Sequence, residues 1–117
     1  MAYYQNIEPN GNNYRGRIKL GIHQTYTPTV ETPQEAARDI DYLRAWLRAT
    51  LADCLAERFE SQITTVSTPP QHQDEKHKAL LAAIPKSGAW SEQITQAPEW
   101  VARFITRIYS TEEISPA

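Results

Sequence analysis

From residue 14 to residue 26 the chain reads YRGRIKLGIHQTY, and its polar and apolar positions alternate. Tyr14, Ile18, Leu20, Ile22 and Tyr26 fall on one side, with Gly16 and Gln24 among them. Arg15, Arg17, Lys19, His23 and Thr25 fall on the other. A period of two belongs to a half-buried strand. Pro9, Asn10 and Gly11 read as a turn, because Asn and Gly tolerate positive φ. Residues 3–8 are therefore expected to fold back on the strand as a hairpin, giving a two-stranded ribbon and lead-in over 1–30.

The period changes after Thr32. Thr32 suits a helix N-cap, Pro33 the first helical position, and Glu35 stands three residues after the cap. Together they form a capping box with proline at N1. No Gly or Pro follows until well past Ser61, so one long helix is expected over 33–62, roughly 40 Å at the usual rise. The β-branched stretch ITTVSTPP at 63–70 breaks it. Two shorter helices are expected within 69–109. The first is capped by Thr68, starts at Pro69–Pro70 and runs to Ile84. The second runs from Pro98 to Tyr109 and buries Trp100, Val101, Phe104, Ile105 and Ile108 on one face. Between them a loop holds one turn around SEQI, and residues 110–117 form a tail. The expected fold is α+β in a single domain: an N-terminal two-stranded ribbon, one long central helix and two shorter helices packed on it.

Two apolar stripes run along the long helix. Ala36, Ile40, Leu43, Leu47, Leu51, Cys54 and Leu55 make a core-facing arc. Tyr42, Ala45, Ala49, Ala52, Ala56, Phe59 and Ile63 recur at alternating steps of three and four, with Trp46 at their border. Alanine allows helix axes to approach closely. It is also the best helix former and is often merely exposed, so the aromatic ends of the stripe are what argue for packing. Either the chain's own shorter helices or an antiparallel second copy could cover this side. Arg38, Arg44 and Arg48 lie in the first half of the helix, and Asp53, Glu57 and Glu60 in the second, an asymmetry that suits the antiparallel pair slightly better.

Charge adds a second candidate surface. The 117 residues carry 12 Lys and Arg against 14 Asp and Glu, a formal charge of −2, which is not the signature of a globally basic nucleic-acid binder. Yet residues 1–26 carry Arg15, Arg17 and Lys19 against one acid, Glu8. Rungs of a strand repeat at about 7 Å, close to a phosphate repeat, and Tyr3, Tyr4 and Tyr14 could offer stacking surfaces. The plain alternative is a solvated strand face whose cations discourage edge pairing.

The chemistry of the chain is sparse. HQDEKH, residues 72–77, looks like a metal motif, but His72 and His77 are five apart and do not share a helix face. Asp74 and Glu75 suit the start of a helix, where acids complement its dipole. The single cysteine, Cys54, sits on the core stripe and excludes an intrachain disulfide. No GxSxG, HExxH, CxxC or phosphate-cradling glycine loop is present. No cofactor, metal or catalytic group is expected. No apolar run is long enough for a bilayer, and the N-terminal residues MAYYQNIEPNGNN lack the pattern of a signal peptide. The expectation is a cytoplasmic protein without a membrane partner.

Two functions follow from these surfaces; an enzyme is the third class, and no constellation of residues in the sequence supports it. The leading one is a small non-enzymatic binding or assembly protein, a homodimer or a component held by a protein partner. Its contacts would come from Tyr42, Ala45, Trp46, Ala49, Ala52, Ala56 and Phe59. The other is a small nucleic-acid-binding or regulatory protein that uses Arg15, Arg17, Lys19 and His23.

Overall fold

The computed structural model describes residues 4–59, 69–71 and 74–115, with the side chains of all but 52–56. The fold is α+β. A three-stranded antiparallel sheet in the order β1 (Ile7–Asn10), β2 (Asn13–Leu20), β3 (His23–Tyr26) precedes the long helix α1 (Pro33–Arg58). After it come α2 (Glu75–Ala82), the short α3 (Trp90–Gln93) with a 3-10 turn at Ile94–Gln96, and α4 (Glu99–Thr111).

The sheet has one strand more than its alternation predicts. Leu20 pairs with His23 across a two-residue loop, and Gly21 there has φ of +59°, a conformation that glycine reaches without steric cost. The long strand is thus a hairpin. Because a two-residue loop reverses the chain, Ile22 stands at its tip, 82% exposed. His23, from the polar side of the alternation, enters the core side and is 4% exposed. β2 is paired on both edges, to β1 through Ile7–Gly16 and to β3 through Arg17–Tyr26. Beyond β3, Thr27 continues opposite Gly16, and Val30 bridges Tyr14 one residue out of register. That extra residue is a bulge, which turns the chain off the sheet toward α1.

The inner face of the sheet carries Ile18 and Leu20, both essentially inaccessible. α1 lies against it so closely that a Cβ on Gly16 would come within 2.3 Å of Ile40 Cγ1. Thr32 caps α1 as expected, its Oγ1 accepting from the Glu35 N–H at 3.2 Å. The helix ends at Arg58, short of residue 62. Phe59 leaves it to pack into the core, its ring edge-on to His23 at 6.0 Å.

The core stripe of α1 is fully buried at Ala36, Ile40, Leu43, Leu47 and Leu51; the side chains of Cys54 and Leu55 lie outside the described residues. Val101, Phe104, Ile105, Ile108 and Tyr109 of α4 complete the core. The Tyr109 hydroxyl donates to the Thr50 carbonyl, and its ring stacks on Trp90 at 4.0 Å. Asp74 rather than Thr68 caps α2, accepting from the His77 N–H at 2.8 Å; Thr68 itself lies outside the described residues. An Asp cap four residues beyond the prolines leaves Pro69 and Pro70 outside the helix instead of in its first turn.

Candidate functional site

The second stripe of α1 is divided by the fold. Trp46, Phe59 and Ala45 are 1%, 4% and 9% exposed, so the chain's own elements cover them. Tyr42 and Ala49 are half-buried at the margin of the core. The side chains of Ala52 and Ala56, and Ile63 entirely, lie outside the described residues. Tyr42 meets Trp46 edge-on at 6.3 Å. Gln93 reaches across from α3 to donate to the Ala49 and Pro85 carbonyls at 3.3 and 3.0 Å. α1 is therefore sandwiched between the sheet and the shorter helices. Its polar strip is also reshaped: Arg44 is 1% exposed, and burial holds its guanidinium below the usual arginine range despite nearby Asp41.

The basic residues separate by face. Register puts Arg15 opposite Glu8, Arg17 opposite Tyr26 and Lys19 opposite Gln24, all on the outer side of the sheet. Arg15 is held in place: its Nη2 lies 3.0 Å from Glu8 Oε1, and its guanidinium stacks 3.8 Å above the Tyr26 ring. Arg17 and Lys19 are exposed and find no hydrogen-bond or ion-pair partner among the described residues. They flank a shallow hollow of about 240 Å³ closed by Asn6, Ile18 and Gln24. Arg107 of α4 donates to the Gln24 carbonyl and adds a cation at the β3 edge. Three cations thus share the outer face with one acid, Glu8, and Arg107 stands at its β3 edge, in a chain whose formal charge is −2.

His23 does not belong to that row. It lies on the inner face, with Nε2 2.9 Å from Glu112 Oε1. Arg58 binds the same glutamate, so the end of α4 is tied to β3 and to the end of α1. The tight turn at Gly21 inverts the alternation between Lys19 and His23, which is why their separation was not visible in the pattern.

HQDEKH resolves into helix-start chemistry where it is described. Asp74 caps α2 and pairs with Arg38. His77 is 3% exposed, with Nε2 3.5 Å from Asp41 Oδ2. Burial, the largest influence, holds the His77 imidazole below its ordinary range. Asp41 accepts from the Gln71 N–H with both oxygens, at 3.0 and 2.9 Å. His72 lies outside the described residues. No group of three or more His, Cys, Asp or Glu side chains among the described residues could hold a metal ion.

One feature had no sequence signal. Between α1, α2 and the start of α4 lies a cavity of about 400 Å³. Glu35, Asp39 and Tyr42 of α1 line it at helical steps of four and three, facing Leu80 of α2 and Trp100 of α4. Its polar wall holds His77 and the Arg38–Asp74 pair, with Lys76 beside them. The Asp39 carboxyl is pushed up from its ordinary value to about 6, by burial first and by the Glu35 carboxylate second.

No described helix is long and apolar enough to cross a membrane. No family model, no curated protein and no solved structure matches the chain.

Proposed function

We propose that the chain is a small nucleic-acid-binding protein that presents the outer face of its sheet to the polyanion. The observation that carries this reading is the pair Arg17 and Lys19, exposed and without partners on a paired central strand, with Arg15 and Arg107 beside them. A folded strand fixes the spacing of their Cα atoms, so only the side chains, and not the backbone, must be ordered on contact with phosphates. Where Arg17 and Lys19 stand, β2 and β3 lie side by side, and a two-stranded ribbon fits the major groove of a DNA duplex, about 12 Å wide. Tyr26, the tyrosine of this face, already carries Arg15 over its ring, which favours backbone and groove contact over stacking of unpaired bases.

The test is fluorescence anisotropy of a short labelled DNA duplex titrated with the protein at several salt concentrations. Counterion release predicts that the logarithm of affinity falls linearly with the logarithm of salt, with a slope of about −2 or steeper. Absent binding, or binding indifferent to salt, would falsify the reading.

A second reading keeps a protein-binding or assembly role for the second face of α1. It is favoured by a groove of about 360 Å³ between α1 and α2, lined by Ala45, Arg48, Ala49, Leu81 and Lys86, where Ala49 and Leu81 remain partly accessible. Light scattering after size exclusion tests it. A dimer that Ala49→Glu dissociates supports the reading; a monomeric wild type removes the homodimer.

A further inference from the structure

We infer that the cavity between α1, α2 and α4 is a docking site for a lysine or arginine side chain of a partner protein. This site lies apart from the sheet face and does not depend on what that face binds.

Glu35, Asp39 and Tyr42 lie on one stripe of α1, so two carboxylates and an aromatic ring open into the same space. Neither carboxylate has a hydrogen-bond or ion-pair partner among the described residues. The neighbouring cation Arg38 is already engaged by Asp74. That leaves Glu35 and Asp39 against Lys76, an excess of one negative charge in a half-enclosed space. Asp39 is partly buried beside a like charge, and its ionisation is disfavoured there. A cation placed between the two carboxylates removes that penalty. His77 closes the wall with its Nε2 turned to Asp41, 3.5 Å away.

The remaining walls fit the stem of a basic residue. Tyr42 and Trp100 supply aromatic surface for an ammonium or guanidinium. Leu80, 48% exposed, supplies apolar surface at the rim. A small free amine would leave that rim unused, whereas a residue within a polypeptide brings methylenes and neighbouring side chains to cover it.

The experiment is an amide chemical-shift titration of the full chain with N-acetyl-lysine methylamide and N-acetyl-arginine methylamide. N-acetyl-norleucine methylamide serves as the uncharged control, and n-butylammonium as the free amine. The expected result is saturable shifts at residues 35–42 and 76–80 and at the Trp100 indole with the two basic derivatives. The norleucine derivative should bind about tenfold more weakly, on the scale of a desolvated cation–carboxylate and cation–π contact. Asp39→Asn should remove most of that preference while leaving the rest of the spectrum, and the weak norleucine response, unchanged. Equal binding of norleucine and lysine derivatives overturns the cationic specificity, as does an unchanged preference in Asp39→Asn. No response to any basic derivative up to roughly 10 mM, the weak end of useful affinity, overturns the site. Butylammonium binding as tightly as the lysine derivative assigns the cavity to small amines and overturns the protein partner. Arg17→Ala with Lys19→Ala should leave this titration unaltered, which keeps its outcome separate from that of the sheet.

Discussion

The outer face of the sheet and the cavity beside α1 both hold charge without partners, but in opposite settings. On the sheet, Arg17 and Lys19 project into water from a rigid strand, so keeping them charged costs almost nothing in the folded chain. In the cavity, Asp39 is partly withdrawn from water beside Glu35, and its carboxyl titrates near 6. Solvated cations contribute little to stability and much to long-range attraction of polyanions. A half-buried, unmatched carboxylate costs stability and rewards a ligand that matches it. One surface therefore suits a large partner held through many weak contacts, and the other a single side chain.

The largest expected effect concerns the element between them. Trp46 is 1% exposed within the chain, so Trp46→Ala should lower unfolding free energy by about 3–5 kcal/mol, the usual cost of emptying an aromatic site in a core. Chemical denaturation measures it. A loss below about 1 kcal/mol together with a change in molar mass would place Trp46 between chains and dissolve the contrast.

The second effect belongs to the sheet. Arg17→Ala with Lys19→Ala should reduce the salt slope of duplex binding by about 1.8 and lower affinity roughly fifty-fold near 0.1 M salt. Stability should stay within about 0.5 kcal/mol, because neither side chain is paired. A double variant that binds like wild type removes these residues from the interface.

The third effect separates the two charge settings through pH. The folded Asp39 carboxyl holds its proton to about 6, whereas its ordinary value is 3.8. Between those values the folded state binds more protons than the unfolded one, so this group's contribution to stability falls as pH rises through the window. Asp39→Asn should flatten that part of the stability–pH curve and raise stability at neutral pH by about 1 kcal/mol, with solvent screening of a partly exposed group allowed for. Stability that rises between pH 4 and 6 in wild type but not in Asp39→Asn would reverse the assignment.

The smallest effect tests the turn. Ile22 is 82% exposed, so Ile22→Asn should shift stability by no more than about 0.5 kcal/mol. A loss above about 2 kcal/mol would restore Ile22 to the apolar face that simple alternation assigns it.

How far the sequence foretold this molecule depends on the range of the interactions involved. The start of α1 is written locally in Thr32, Pro33 and Glu35, and the Thr32 cap forms as expected. The face of α4 is likewise local, since Val101, Phe104, Ile105 and Ile108 repeat at helical spacing and are buried together. Alternation assigned Arg15, Arg17 and Lys19 to one face correctly because they share one strand. It misassigned His23 because the signal of a two-residue turn, one glycine followed by an apolar residue, is weaker than the alternation running through it. Nothing local distinguishes Arg44 from Arg48 in the first half of α1, yet tertiary contacts bury Arg44. The cavity was not legible at all. Glu35, Leu80 and Trp100 meet only when three helices pack, and no spacing within one element records that.

The most direct measurement of the central claim is amide chemical-shift mapping of the protein on addition of a short DNA duplex. The sheet-binding account predicts shifts at Glu8, at residues 15–19 and 24–26 and at Arg107, weakening as salt is raised, with Asp39, Leu80 and Trp100 undisturbed. Shifts confined to the cavity or to the second face of α1, or none anywhere, would contradict it.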